Sequence, residues 1–271
     1  MGRVFFKKII AIFIILYSTT ALAQTTNKQG VSGRVGLSLG AIPQYEGSKD
    51  HSAAVFLTGK VNYNNMYLES LRTTTGGALR LNLSPLRPIE FGPVLSHNFA
   101  RDNDVDNSRV KNMRKIDDAY EIGGFVRLPN RKVLQENDEL ALDIQMVTDV
   151  SGVHDGTLIT FGPTYAYDTN PNLNIKTSLL TTYVTDDYNK TYFGVSTRDS
   201  TLSGLNTYSA DGGFQNVTLG LDTHYKLNER WGILGMAQYR QLLNDAGNSP
   251  VVKDGGNSSQ FLIGAGIAYS F

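Results

Sequence analysis

The chain has 271 residues, with 25 basic and 25 acidic side chains, four histidines, no cysteine and an abundance of glycine and tyrosine. The absence of cysteine excludes disulfide and thiol chemistry, and four scattered histidines are a poor basis for a zinc centre. The balanced charge leaves no basic footprint for nucleic acid.

The first element is an export signal. Arg3, Lys7 and Lys8 precede an unbroken apolar run from Ile9 to Tyr17, and Ala21-Leu22-Ala23 supplies a small-x-small cleavage pattern. This predicts a signal peptide over 1–23 and a mature chain from Gln24. The apolar run is too short to be a membrane-spanning helix, which needs about twenty residues. Removing it leaves 22 basic against 25 acidic residues, a net charge of −3. Beyond Ala23 the apolar residues are interrupted every one or two positions and the mean hydropathy is negative. A transmembrane barrel has that profile, because only alternate residues of its strands face lipid.

From there the sequence has a period of two. Val55, Leu57, Val61 and Tyr63 oppose Thr58, Lys60 and Asn62. Ile89, Phe91, Leu95 and Phe99 alternate with Glu90, Gly92, Ser96 and Asn98. Leu140, Leu142, Ile144 and Met146 alternate with Ala141, Asp143 and Gln145. At the end Phe261, Ile263, Ala265, Ile267, Tyr269 and Phe271 share one face, opposite Gln260, Leu262, Gly264, Gly266, Ala268 and Ser270. Twelve strands are predicted at 31–43, 53–63, 66–72, 76–84, 88–100, 119–128, 139–150, 157–168, 172–185, 212–227, 230–243 and 258–271. The stretch 66–84 reads as one long strand or a tight pair. An even count, which returns both ends to the periplasmic side, selects the pair, with ten strands as the alternative.

The connections alternate in kind. Asn64-Asn65, 84–87, 129–138, 169–172 and 228–230 form one set of turns, and 101–118, 187–210 and 244–257 are longer loops on the other side. Short periplasmic turns and long outer loops are the habit of outer-membrane barrels. A soluble sandwich also alternates, but the export signal and the aromatic terminus favour the membrane. The expected fold is therefore all-β: a transmembrane antiparallel up-and-down β-barrel over 24–271, in the outer membrane.

By parity, Arg34, Lys60, Arg80, Glu90, Glu121, Arg127, Asp143, Asp149, Lys176, Asp222, Lys226 and Arg240 face the lumen. Opposed charged walls suit a solute pathway; mixed signs at close quarters suit a salt-bridged core. The histidines are the candidates for catalysis. His154 lies in a tight connection, with Ser151 before it but glycine at 156, where a lipase-like pairing would want serine. His97 faces outward without a serine neighbour, and His224 points inward beside Asp222. Asp102, Asp104 and Asp106 share a loop with Arg109, Lys111, Arg114 and Lys115, which reads as a solvated, charge-balanced loop before a metal site. No catalytic, cofactor or metal residue is assigned.

The ordered segments Pro43-Gln44-Tyr45-Glu46-Gly47-Ser48, Phe91-Gly92-Pro93, Glu121-Ile122-Gly123-Gly124-Phe125, Tyr192-Phe193-Gly194-Val195, Ser203-Gly204-Leu205, Asp245-Ala246 and Ser249-Pro250-Val251-Val252 resemble the MipA/OmpV family of outer-membrane proteins. The ending on Tyr269 and Phe271 is similar to terminal strands read by the barrel assembly machinery. The resemblance implies a non-enzymatic scaffold that links a lytic murein transglycosylase to a penicillin-binding protein that synthesises peptidoglycan. Surface antigens or adhesins acting through the long loops, or a small-solute channel, are the alternatives. Within the loops, Pro43, Tyr45, Gly47 and Ser48, and Tyr192, Phe193, Gly194 and Val195, are the family-motif positions that the resemblance implies. Tyr192 and Phe193 form either a contact surface or a plug that packs into the mouth of its own barrel.

Overall fold

The computed structural model describes residues 30–84 and 88–271. The expected signal peptide over 1–23 lies outside them, as does the centre of the 84–87 turn. Twelve strands alternate along the chain: β1 (Val31–Pro43), β2 (His51–Tyr63), β3 (Met66–Thr73), β4 (Gly76–Asn82), β5 (Glu90–Asn98), β6 (Ala119–Arg131), β7 (Asp138–Asp149), β8 (Thr157–Asn170), β9 (Leu173–Val184), β10 (Gly213–Lys226), β11 (Trp231–Leu242) and β12 (Ser259–Ser270). Each pairs with its sequence neighbours, and β1 closes on β12 with Arg34 opposite Ser270, giving one closed barrel. Closure matters in lipid, where an unpaired strand edge has no water to bond. The tight pair chosen for 66–84 is present as β3 and β4. One expected turn is shorter: β6 runs on to Arg131, so the connection expected at 129–138 is confined to 132–137.

The side chains are arranged inside out relative to a soluble domain. Leu219, Ile263 and Ile267 on the outer face are 55%, 65% and 58% exposed, while Arg80 and Arg127 inside are 5% exposed. Only lipid makes that arrangement stable, since apolar area left in water carries a penalty of about 25 cal/mol per Å². Aromatic rings ring both ends of the wall. Trp231 and Tyr269 meet near the turn end, and Tyr183, Phe214 and Phe161 cluster toward the loop end. Such girdles sit at the two membrane–water interfaces.

One seam is irregular. The β2–β3 ladder runs only from Tyr63↔Met66 to Lys60↔Glu69, after which the Gly59 N–H donates to the Ser70 hydroxyl at 2.8 Å. The outer half of β3 inclines into the barrel. There the Arg72 carbonyl accepts from Gln238 Nε2 at 3.0 Å and its guanidinium pairs with Asp222, both on strands of the far wall.

The long outer connections are folded. They carry α1 (Asp186–Phe193), α2 (Thr197–Ser203), α3 (Asn244–Asn248) and α4 (Pro250–Lys253). α2 begins at a reciprocal cap, with the Ser196 hydroxyl accepting from the Asp199 N–H and the Asp199 carboxylate accepting from Ser196. It ends at Gly204 in the left-handed conformation, φ +72°. Pro250 opens α4 in the first-turn position where its missing N–H costs nothing.

Candidate functional site

Two layers fill the barrel, one at its outer mouth and one in its middle. The mouth is closed by residues from five different connections. Ile116, Tyr188, Tyr192, Phe193, Ala246 and Val252 form one buried cluster with Val184 and Leu242 of the wall. Tyr45, Val105, Val110, Met113, Val195, Leu205 and Val251 form a second. The loop 101–118, read from its charges as solvated, is thus half inside the cap. Its apolar residues face the clusters and its aspartates face out, with Arg114 tied to the buried Asp199 at 2.9 Å.

The motif positions converge here. Gly47, at φ +97°, lies so near α4 that a Cβ would stand 2.7 Å from Val252 Cγ2. Its N–H donates to Gln260 Oε1, and Gln260 Nε2 donates back to the Ser48 carbonyl, so β12 holds the turn from below. Glu46 between them accepts from Arg240 Nη1 at 3.0 Å and from the Tyr188 hydroxyl at 3.1 Å. Burial pushes this carboxyl above its ordinary range, and Arg240 opposes the shift. Tyr192 and Phe193 are buried, Ser249 donates to the Phe193 carbonyl at 2.6 Å, and Val195 bridges Tyr208. Of the two roles weighed for Tyr192 and Phe193, the geometry is that of a plug. Pro43 ends β1, and Gly194 closes α1 with its N–H on the Lys190 carbonyl.

A second polar anchor lies beside the first. Asp149 accepts the N–H groups of Ser151, Val153, His154 and Asp155, and so folds the 150–156 turn over the mouth. His154 is lowered into the interior, where its Nδ1 accepts from the Gly156 N–H at 3.0 Å. Its other nitrogen therefore carries the hydrogen, and it donates to Glu121 Oε1 at 3.1 Å, beside Asn98 Nδ2 at 2.6 Å. The ring packs edge-on against Tyr188, 4.9 Å between centroids. Ser151 does not reach it, because its hydroxyl donates to Asp149. Arg101, also buried, donates to the Tyr192 carbonyl, and burial with Arg114 nearby pushes its guanidinium down to about 10.

Below the cap the lumen is a charge network. Arg80 donates to Glu69 and Asp143, each at 2.8 Å. Arg127 donates to Glu90 at 3.1 Å, Glu139 at 2.6 Å and Asp143 at 3.3 Å. The Tyr67 hydroxyl and Thr164 complete Glu90 and Asp143, and Lys60 lies over the Tyr67 ring at 3.7 Å. On the other side Arg34 meets His224 at 2.6 Å and Arg72 meets Asp222. Lys176 is in electrostatic reach of Glu69. Lys226 stands exposed at the turn end of β10, within electrostatic reach of His224.

The network holds charges at positions that parity assigns to the lumen, Arg34, Lys60, Arg80, Glu90, Arg127, Asp143 and Asp222 among them, together with members it does not assign. Glu46 sits in a connection, where parity says nothing, and Glu69 and Glu139 join at inward positions of β3 and β7 through Arg80 and Arg127. Arg72 has the wrong parity for the lumen and reaches it only because β3 leans inward. The Arg240–Glu46 pair spans 194 residues and leaves no local signal.

The family model described as MltA-interacting protein MipA matches residues 35–271. Outer membrane protein Omp26La of Vibrio anguillarum is 38% identical over 89 residues, 33% of each chain. Outer membrane protein OmpV of Vibrio cholerae is 37% identical over 89 residues, again 33% of each. The MltA-interacting protein of Escherichia coli is 31% identical over 107 residues, 40% of this chain and 41% of its own. The matched stretches thus span between about a third and two fifths of these relatives. The family model, by contrast, runs from β1 through the cap to the last residue, over a barrel whose apolar wall requires lipid. The chain belongs to the MipA family and is an outer-membrane β-barrel.

Proposed function

We propose that this barrel is a non-enzymatic scaffold, which holds a lytic murein transglycosylase, and through it a peptidoglycan synthase of the penicillin-binding class, at the inner face of the outer membrane. The observation that carries the reading is the filled lumen. Arg80 and Arg127 are each committed to two or more carboxylates, and the mouth above them is packed with side chains. A conduit needs charged groups free to exchange partners with a solute, whereas a platform needs a rigid body. The name of the Escherichia coli relative points to the same partner. Among the described residues, the periplasmic side is formed by the short turns and the ends of β1 and β12. A stable contact of about 800 Å² per partner therefore draws on several of them together.

The test is affinity capture with the full-length protein in native membranes. Co-purification of a transglycosylase, lost when the 132–137 and 227–230 turns are exchanged for unrelated sequences, supports the scaffold. Stepwise conductance of the purified protein in planar bilayers, with no transglycosylase retained, refutes it in favour of a channel.

A further inference from the structure

In the middle of the barrel Arg72, Arg80 and Arg127 are each bonded to a carboxylate. The inner mouth below them breaks that rule. Arg34 of β1 donates to His224 Nδ1 of β10 at 2.6 Å, and pairs with no carboxylate among the described residues. Glu69 and Asp222, the acids in its electrostatic reach, are already bonded to Arg80 and Arg72. Lys226, two positions beyond His224 on the same face of β10, is exposed and makes no ion pair among the described residues. Other acids near the mouth are engaged: Asp168 accepts from Asn174 Nδ2 at 2.9 Å, and the Phe271 terminus accepts from the Gly33 N–H at 3.0 Å. Residues 1–29 and 85–87 contain no acidic side chain, so the remainder of the sequence supplies no counter-charge.

His224 is fixed in its tautomer. A guanidinium can only donate, so Nδ1 accepts and the hydrogen of the neutral ring lies on Nε2. The side chain is 4% exposed, and its Nε2 meets no acceptor among the described residues. Buried donors are nearly always bonded, and one that is not points to a water or an ion. The place of this N–H is set by Gly232, where a Cβ would stand 2.4 Å from Nε2. Gly232 is the cross-strand partner of Lys226, in the last row of the β10–β11 ladder on the turn side, so the edge of the ring reaches the row of that lysine. An open cleft of about 300 Å³ lies alongside, lined by Arg131, Asn137, Ala166 and Asn174, and Asn174 is the partner of His224 on β9. Solutes of the periplasm therefore reach the strand beside the ring.

A guanidinium, an ammonium and an imidazole N–H thus stand together with two positive charges and no carboxylate bonded to any of them. Donors of this kind suit an oxyanion. A carboxylate would neutralise half of the charge. A phosphate monoester, at about −1.5 to −2 near pH 7, neutralises nearly all of it and offers three acceptor oxygens. Above the site Arg72, Arg80 and Arg127 are closed on their own acids, so it is a recess at the inner mouth and not a stage in a pathway.

We propose that Arg34, His224 and Lys226 form a site for a phosphate group that enters from the periplasm, a site that does not depend on the scaffold reading. The whole protein, with nitrogen-labelled histidine in phosphatidylcholine nanodiscs, is titrated with inorganic phosphate, with glycerol phosphate, and by adding phosphatidic acid to the disc. The Nε2 resonance of His224, identified as the one that His224→Gln removes, should move and saturate with at least one of the three. Which one does so separates free phosphate from a soluble ester and from a lipid headgroup. Acetate and chloride at matched ionic strength should leave the resonance in place. Arg34→Gln and Lys226→Gln should each weaken the response by about tenfold, the loss of one charge-assisted hydrogen bond, while Lys115→Gln in the outer loops should not. Heat-modifiable gel mobility reports that each variant is folded; should Arg34→Gln fail it, Lys226→Gln, at an exposed position, is read alone. A resonance that none of the three moves, an equal response to acetate, or a response undiminished in Lys226→Gln would each overturn the proposal.

Discussion

Leu219 in the wall is half exposed while its neighbour Thr218 turns inward; Phe193 and Val251 in the cap are fully buried while Asp102 and Lys111 lie outside. The same chain therefore follows two opposite solvent rules within a few tens of ångströms. The wall is apolar outward because its solvent is lipid, and its backbone is satisfied by the closed ladder. The cap is apolar inward because its solvent is water, and its backbone is satisfied piecemeal by caps, turns and short helices. Between them lies a layer that obeys neither rule, in which charges are buried and stable only through one another. The comparison teaches that damage should stay in the region where it is made. A change in the charged layer should destabilise the barrel. A change in the cap should loosen the cap and leave the barrel assembled.

The largest effect is expected at the charged layer. Arg127→Ala strands Glu90, Glu139 and Asp143 without a guanidinium they share. The expected loss is about 3–5 kcal/mol, the usual consequence of breaking one side of a buried pair. It is read from the urea midpoint of the heat-modifiable band in lipid. Lys190→Ala, which removes an exposed pair with Asp186, should move that midpoint by less than about 0.5 kcal/mol. Equal shifts would mean that the lumen is wetter than its geometry implies.

The next effect belongs to the cap. Gly47→Ala forces a left-handed alanine and drives its Cβ into Val252. About 1–3 kcal/mol of strain is expected. It should appear as faster cleavage of the 101–118 and 185–212 loops by added protease, at an unchanged urea midpoint. If the midpoint falls as well, cap and wall fold as one unit and the division drawn above is lost.

How much of this was legible in the sequence follows the same division. The wall was readable almost strand by strand, because lipid outside imposes a strict period of two. The doubtful stretch 66–84 resolved as a pair because closure demands an even count. The inclination of β3 was not readable: Arg72 sits at a lipid-facing parity and is saved by Gln238 and Asp222 from distant strands. The cap was hardly readable at all. Its helices have between four and eight residues, too short for periodicity, and are held by tertiary contacts. Loop 101–118 looked solvated because its charges dominate the composition, while Val110, Met113 and Ile116 do the packing.

A smaller effect is a pH dependence confined to the cap. Burial raises the Glu46 carboxyl above its ordinary 4.5, so the folded cap binds a proton more tightly than the unfolded loop does. The sign is fixed by linkage. The stabilising contribution of protonation is fully present below about pH 4.5 and is lost as the pH rises through the folded value. Protease protection of the outer loops should therefore weaken from acid toward neutrality. Glu46→Gln, which keeps one acceptor oxygen for Arg240 and turns its NH2 to the Tyr188 hydroxyl, cannot titrate and should flatten that slope. A slope unchanged in the variant would move its origin elsewhere in the cap.

The finest distinction lies between two tyrosines in one cluster, 4.6 Å apart by ring centroids. The Tyr188 hydroxyl donates to Glu46, whereas the Tyr192 hydroxyl is buried with no partner. Removing a hydroxyl that is bonded leaves an acceptor short and costs about 1–2 kcal/mol, while removing one that is unbonded also removes its desolvation penalty. Tyr188→Phe should loosen the cap and alter its pH response, because Glu46 loses a donor to its charged form. Tyr192→Phe should be neutral or slightly protective in the same assay, since its ring packing is kept. Equal loosening by both would mean that the cap is held by ring packing alone, and that Glu46 is tolerated at its centre rather than anchoring it.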